Sequence, residues 1–288
     1  MSYTRVGVVT GANKGIGLAI VRNLALQYPK SPLNNGPLLI YLTARDKGRG
    51  EAALQALHED AQLIKAKSLV GEGGLSDIKY HTLDIADTNS IKAFAEHLKT
   101  SHGDGIDFVI NNAGIAMQGF DSNVVKTTLR CNYYGTLEAS NEFLPLIKDG
   151  GRLVNVASMT GKLNKYSDAV RDRFLVSKSV SDTSKLMEDF QAAVDAGNEK
   201  EQGWPSAGYA VSKAGVIGMT KAIAAAEKAK GSKVLINSCC PGYVKTDMTR
   251  GGGAKTPDEG AQTPVMLALG DFGDRTGLFW QHERPIEW

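Results

Sequence analysis

Apolar residues in this chain fall into two alternating rhythms. RVGVVT (5–10) is a short, continuous β-branched run, the pattern of a strand buried on both faces. LAIVRNLALQY (18–28) instead places Leu18, Val21, Leu24 and Ala25 on one helical stripe. PLLIYLTA (37–44), IKYHTLDI (78–85), IDFVINNAG (106–114), RLVNVAS (152–158) and KVLINSCC (233–240) read as further strands, each after a helical segment. The tail, GLFWQHERPIEW, begins as a short final strand. This alternation predicts an α/β fold: a parallel sheet of about seven strands with helices on both faces. Two stretches break the rhythm. PKSPLNNGP (29–37) is a turn-rich loop. The other runs from about Met159 to Pro205. Within it, DTSKLMEDFQAAVDAG (182–197) puts Leu186, Met187, Phe190 and Val194 on one face and ends at Gly197, so a helix is predicted there. There is no second βαβ series, repeat or low-complexity linker. Residues 1–288 therefore read as one domain with a helical insertion at about 159–206.

Composition narrows the partners. Apolar residues make up 42%, enough for a sizeable core, and a net charge of +2 offers no basic surface for nucleic acid or an acidic membrane. Cys131, Cys239 and Cys240 form no Cys-x-x-Cys, so neither a disulfide framework nor a zinc site is suggested. His58, His81, His97, His102 and His282 lack ligand spacing and read as surface residues, so no metal is expected. MSYTRVGVVTG runs straight into a strand without a leader pattern, and no run of 18 apolar residues occurs elsewhere. The expectation is a reducing, cytoplasmic compartment and no membrane.

TGANKGIG (10–17) lies between a predicted strand and a predicted helix, where a nucleotide-binding turn belongs. Gly11, Gly15 and Gly17 would serve the tight turn, the approach of backbone to a pyrophosphate, and close packing of helix on strand. The helix start then offers N–H groups to phosphate. No Gly-Lys-Ser/Thr follows, which disfavours a phosphate-hydrolysing loop. Farther on, Tyr209 and Lys213 stand four apart in the helical GYAVSKAGVIGMTKAIAAA and so share a face. A cation near a phenol that ordinarily titrates at ~10 favours phenolate. The expectation is a Tyr209 drawn down toward neutrality and ready to give a proton to a developing alkoxide.

In order, the chain shows the glycine turn, NNAG (111–114), Asn132 in CNYYGT, Ser158 at the end of LVNVAS, Tyr209 with Lys213, and PGYVKTDM (241–248). This succession resembles the short-chain dehydrogenases/reductases over nearly the whole chain. The resemblance implies a Rossmann-type doubly wound sheet and hydride transfer from a nicotinamide cofactor. It gives Ser158 the substrate carbonyl oxygen, Tyr209 the proton, and Lys213 the phenol's acidity and the nicotinamide ribose. Asn132 would support a relay water. Gly11, Asn13, Lys14, Gly15, Ile16 and Gly17 would form the cofactor turn. Asn111 and Asn112 would hold the sheet edge, with Asn112, Ala113 and Gly114 lying close to the cofactor. Asp84 would stand beside the adenine. Pro241, Gly242, Val244 and Thr246 would cover the nicotinamide.

Two choices remain. An acidic residue at the end of the second strand normally takes the ribose hydroxyls and selects NAD. In LTARD that place falls on Ala44, followed by Arg45, which with Lys14 would neutralise a 2′-phosphate. A one-residue shift would put Asp46 on the ribose instead, but Lys14 tips the expectation to NADP. Ser158 and Tyr209 lie 51 positions apart, an excess that matches the monomeric carbonyl-reductase branch, as do QGWPSAGYAVSK and KTPDEGAQTPVMLAL. Relatives assemble through helices flanking this region, so a charged insertion would cover that surface and leave a monomer; a substrate lid is the other reading. Tyr243 and Met248 would line the substrate cleft, and Cys239 and Cys240 are read as buried structural thiols near the cofactor. The function expected is NADPH-dependent reduction of an aldehyde, ketone or quinone, with oxidation of an alcohol or steroid, or a silent NADP-binding module, as alternatives.

Overall fold

A computed structural model describes residues 3–288. Among these, eight strands make one sheet: β1 (Arg5–Val9), β2 (Leu38–Ala44), β3 (Ser76–Thr82), β4 (Ile106–Asn111), β5 (Ile147–Val156), β6 (Leu235–Cys240), β7 (Phe279–Gln281) and β8 (Arg284–Ile286). Their spatial order is β3-β2-β1-β4-β5-β6-β7-β8. The first seven are parallel, and β8 returns antiparallel to β7. The eighth strand exceeds the seven expected. Its turn, His282 and Glu283, takes φ of +51° and +59° without a glycine or asparagine, so the usual hairpin signal was absent from the sequence. All seven residues of β2 are buried, as its unbroken apolar run requires of a strand covered on both faces.

The helices are α1 (Gly15–Gln27), α2 (Lys47–His58), α3 (Ala61–Ala66), α4 (Thr88–Ser101), α5 (Ser122–Leu129), α6 (Thr136–Phe143), α7 (Asp168–Val176), α8 (Val180–Asp195), α9 (Gly208–Ala229) and α10 (Pro257–Leu269). Alternation along each strand divides the core. Ile40, Leu42 and Ile110 meet Ile20 and Leu24 of α1 and Val265 of α10. Leu39, Tyr41 and Val109 meet Ile91 and Phe94 of α4 and Phe143 of α6 on the opposite face. A third cluster lies beyond that face, where the insertion packs. Leu186, Met187 and Phe190 of α8 and Phe174 of α7 bury themselves with Val125 of α5 and Val211 of α9. The sequence located α8 but started it at residue 182. A capping box between Ser179 and Asp182 starts it at Val180. It gave no sign of α7, whose buried face is only Val170 and Phe174.

Three histidines depart from the surface expectation. His97 and His102 lie half-buried at Tyr41, whose hydroxyl is 3.2 Å from His97 Nε2 and 3.0 Å from His102 Nε2, and half-buried His81 packs on His97. Among the described residues, no helix is long and apolar enough to cross a membrane.

Candidate active site

Strand order reverses between β1 and β4, and in such sheets the crevice beyond the strands' carboxyl ends is where ligands bind. The glycine turn fills this point. Gly11 has φ +63°, and a Cβ there would stand 2.8 Å from Ala113 Cα, so only glycine lets the two strand ends close up. A Cβ on Gly17 would stand 2.4 Å from the Gly11 carbonyl, which fixes how tightly α1 enters. Asn112 seals the junction: its Nδ2 donates to the carbonyls of Thr10 and Gly11 at 3.0 and 3.1 Å, and the Thr10 hydroxyl accepts from the amides of Asn112 and Ala113. Asn111 points the other way, donating to Ser140 and Asn155 inside the sheet.

The start of α1 has no side-chain cap and no acidic residue in its first turn, so its N–H groups face the crevice. That suits a pyrophosphate. Asn13 and Ile16 lie half-buried along this turn. Arg45 is exposed beyond β2 and has no ion-pair partner among the described residues. Asp46 caps α2, its Oδ1 accepting from the Arg49 amide at 2.8 Å. Asp84 accepts from the Ala86 amide and keeps its other oxygen open. Lys14 forms an ion pair of 2.6 Å with Asp247, across the crevice in the loop after β6. Thr246 overlies the turn, 3.4 Å from where a Gly15 Cβ would be. Gly242, at φ +90°, and the buried Val244 shape the same loop after Pro241.

The chemical groups gather at the ends of β4 and β5. A π-helical turn, Arg130–Gly135, joins α5 to α6 and presents Asn132, which is fully buried. Its Oδ1 accepts from the Ile115 amide at 2.8 Å, and its Nδ2 donates to the Ile115 carbonyl and to Ser212 Oγ at 2.9 and 3.1 Å. Both amide hydrogens are therefore committed, so a relay water would depend on its remaining lone pair or on carbonyls the π turn frees. A Cβ on Gly114 would touch both Asn132 Oδ1 and Lys213 Nζ, at 3.2 and 3.5 Å. Lys213 Nζ donates to the Val156 carbonyl at 2.8 Å, and burial pulls this amine down to about 8. Ser158 follows two residues beyond Val156, its Oγ accepting from the amide and hydroxyl of Thr160 at 3.2 and 3.0 Å.

Tyr209 corrects the expectation of a lowered pKa. Burial first, then the Cys240 thiol, push the phenol up to about 12; only the Ser158 hydroxyl pulls the other way. The i, i+4 spacing does place Lys213 on the right face, but its ammonium sits 5.7 Å from the ring centroid and turns toward β5 rather than the hydroxyl. Cys239 and Cys240 are buried, with Cys240 Sγ accepting from the amides of Met159 and Gly242. Burial raises both thiols. At the same end of the sheet, Met117, Tyr243 and Met248 stand exposed. Sequence reading had singled out neither Met117 nor Thr160 nor Ser212. A Ser-x-Thr after a strand was the available sign of Thr160. Phe279 and Trp280 prove to be core, and Trp288 packs on Phe174, donating from its indole to the Gly161 carbonyl at 2.9 Å.

The short chain dehydrogenase family model matches residues 5–170 and 192–256, leaving out much of the insertion. Carbonyl reductase (NADPH) 1 of Macaca fascicularis is 38% identical over 100% of this chain and 99% of its own length. Carbonyl reductase (NADPH) 3 of Rattus norvegicus is 39% identical over 93% of this chain and 92% of its own. Among solved structures, salutaridine reductase from Papaver somniferum superposes with a TM-score of 0.80 at 25% identity, covering 96% of this chain and 99% of that one. With a matching family model across most of the chain and relatives above a third identical along its whole length, this protein belongs to the short-chain dehydrogenase family.

Proposed function

We propose that this protein reduces the carbonyl of an aldehyde, ketone or quinone to the alcohol, using NADPH. The observation that carries the reading is the meeting of Ser158, Tyr209 and Lys213 at the end of β5, beside a crevice built for a dinucleotide. The open helix start, the unpaired Arg45 and the capped Asp46 fit a 2′-phosphorylated cofactor, which when bound supplies the hydride. Relatives named for NADPH and carbonyl reduction agree. Ser158 holds the substrate oxygen. Tyr209, buried and protonated, gives that oxygen its proton as the carbonyl bond's electron pair arrives there. Lys213 restores charge balance behind the phenol. Exposed Met117, Tyr243 and Met248 give the crevice an apolar mouth, which suits a hydrophobic carbonyl compound.

The insertion supports a monomer. Most of its apolar face packs on α5 and α9, while its outer face carries Arg173, Lys185, Glu188 and Asp189 in ion pairs, with Leu175 and Val176 of α7 exposed beside them. That is a solvated cover rather than an interface. Three free thiols support a reducing, cytoplasmic compartment.

The deciding experiment follows NADPH oxidation against a carbonyl library, in parallel with NADH and in the reverse direction. Tyr209→Phe should abolish turnover and leave NADPH binding intact. Preserved turnover in that variant, or turnover only in the alcohol-to-carbonyl direction with NADP⁺ reduced, defeats the reading.

A further inference from the structure

We infer that Thr160 is a positioning residue for the reaction: its hydroxyl fixes the direction in which Ser158 offers its proton. This rests on the carbonyl-reductase reading above.

A serine hydroxyl has one donor and two acceptor sites. On Ser158 both acceptor sites are filled by one neighbour, the Thr160 amide at 3.2 Å and the Thr160 hydroxyl at 3.0 Å. The amide bond alone would leave the Ser158 proton free to rotate between two positions. With the second lone pair occupied, the O–H has one direction left, away from Thr160. A hydroxyl that accepts hydrogen bonds is also polarised into a stronger donor. In the reaction, hydride adds to the carbonyl carbon, the π pair moves to oxygen, and the Tyr209 proton follows it as NADPH becomes NADP⁺. The developing negative charge is therefore on the oxygen that Ser158 addresses. A donor already aimed there needs no reorganisation when the charge appears.

The turn that carries both residues is held independently of the Thr160 hydroxyl. The Gly161 amide donates to the Ser158 carbonyl at 3.0 Å, and the Lys162 amide to Met159 at 3.2 Å. Trp288 caps the Gly161 carbonyl, and a Cβ on Gly161 would stand 2.7 Å from the Lys213 main chain, so the turn lies flat on α9. Thr160 itself is exposed, with no other side-chain partner among the described residues. Removing its hydroxyl should leave the fold in place and change the chemistry.

Thr160→Val keeps the β-branched shape and deletes the donor. The groups that face Tyr209 are Lys213 from α9, Cys240 from β6 and Ser158 from the β5 turn. Of these, Ser158 favours the phenolate, so a loosened Ser158 leaves the phenol harder to ionise. The valine variant should lose about tenfold in kcat, less than the hundredfold or more expected for a donor in direct contact with the oxyanion. KM for NADPH should stay within about twofold, and the alkaline limb of the kcat–pH profile should move upward. Thr160→Ser should recover kcat to within about twofold, and Thr160→Ala should repeat the valine result if valine folds poorly. An active wild type whose valine and alanine variants keep both kcat and pH profile overturns the role of Thr160 alone. So does a serine variant as slow as valine, which would assign the effect to the methyl group. A wild type inactive toward every carbonyl overturns the functional reading and this role with it.

Discussion

If α8 is a fixed cover rather than a lid, removing its central anchor must cost the whole fold. Phe190 is that anchor: its side chain is 0% exposed, with the Trp204 ring centroid 5.4 Å away and Phe120 at 6.5 Å. Phe190→Ala deletes a ring from a site walled by α5, α9 and Trp204, which cannot collapse around the void without moving a main helix. Such truncations cost about 3–5 kcal/mol. That is a large share of a total stability of roughly 5–15 kcal/mol. A chain of this length loses about 0.6 kcal/mol per degree at its melting point, so Tm should fall by about 5–8 °C. The outer face offers the control. Lys185 pairs with Asp189 at 3.1 Å in solvent, and Lys185→Ala should leave Tm unchanged because exposed pairs gain little over water. Thermal unfolding by circular dichroism, with kcat and KM on the same samples, makes the comparison. A melting point lowered by less than about 2 °C, together with a several-fold rise in substrate KM, would show α8 to be loosely held and gating the site. Sedimentation velocity on the wild type tests the cover more directly, and a tetramer would refute it.

Other expectations follow from single features. Arg45→Asp should weaken NADPH by roughly tenfold or more, the worth of one charge-assisted bond, and spare NADH; a fluorescence titration showing equal loss of both would remove Arg45 from the 2′-phosphate. Burial, then a neighbouring imidazole (His81 for His97, His97 for His102) and nearby lysines, hold the His97 and His102 imidazoles below their usual value. The folded state therefore binds fewer protons than the unfolded chain, and stability should be complete above about pH 6.5 and decline as pH falls below it. Urea midpoints across that range should flatten in a His97→Gln, His102→Gln double variant, and an equally steep wild-type-like decline there would place the cause elsewhere. Trp288→Phe removes the indole donor to Gly161 and should lower kcat several-fold at unchanged NADPH affinity, measured by steady-state kinetics beside a binding titration.

What the sequence revealed was whatever the main chain itself demands. The strand runs, the turn at Gly11 and Gly17, and the serial order of Asn132, Ser158, Tyr209 and Lys213 are local or ordered features of the chain itself, legible without knowing which segments meet. What it concealed depends on contacts between distant segments. Asp247 meets Lys14 across 233 positions. His97 of α4 and His102 meet at Tyr41 of β2, and His81 of β3 joins them through His97, contacts that only the assembled sheet and helix create. The β7–β8 turn uses residues that rarely adopt positive φ, and α7 has too narrow an apolar face to stand out.

The Tyr209 phenol shows why this distinction matters chemically. Spacing alone put an ammonium on its face of the helix and implied an easily ionised hydroxyl. Burial is a property of the assembled fold, and here it sets the phenol: the Lys213 amine is itself drawn down to about 8 and hydrogen-bonded to Val156, and only the Ser158 hydroxyl opposes the rise. A phenol pushed up to about 12 keeps its proton at neutral pH. A donor must carry its proton until negative charge forms on the substrate oxygen, and the buried phenol does so.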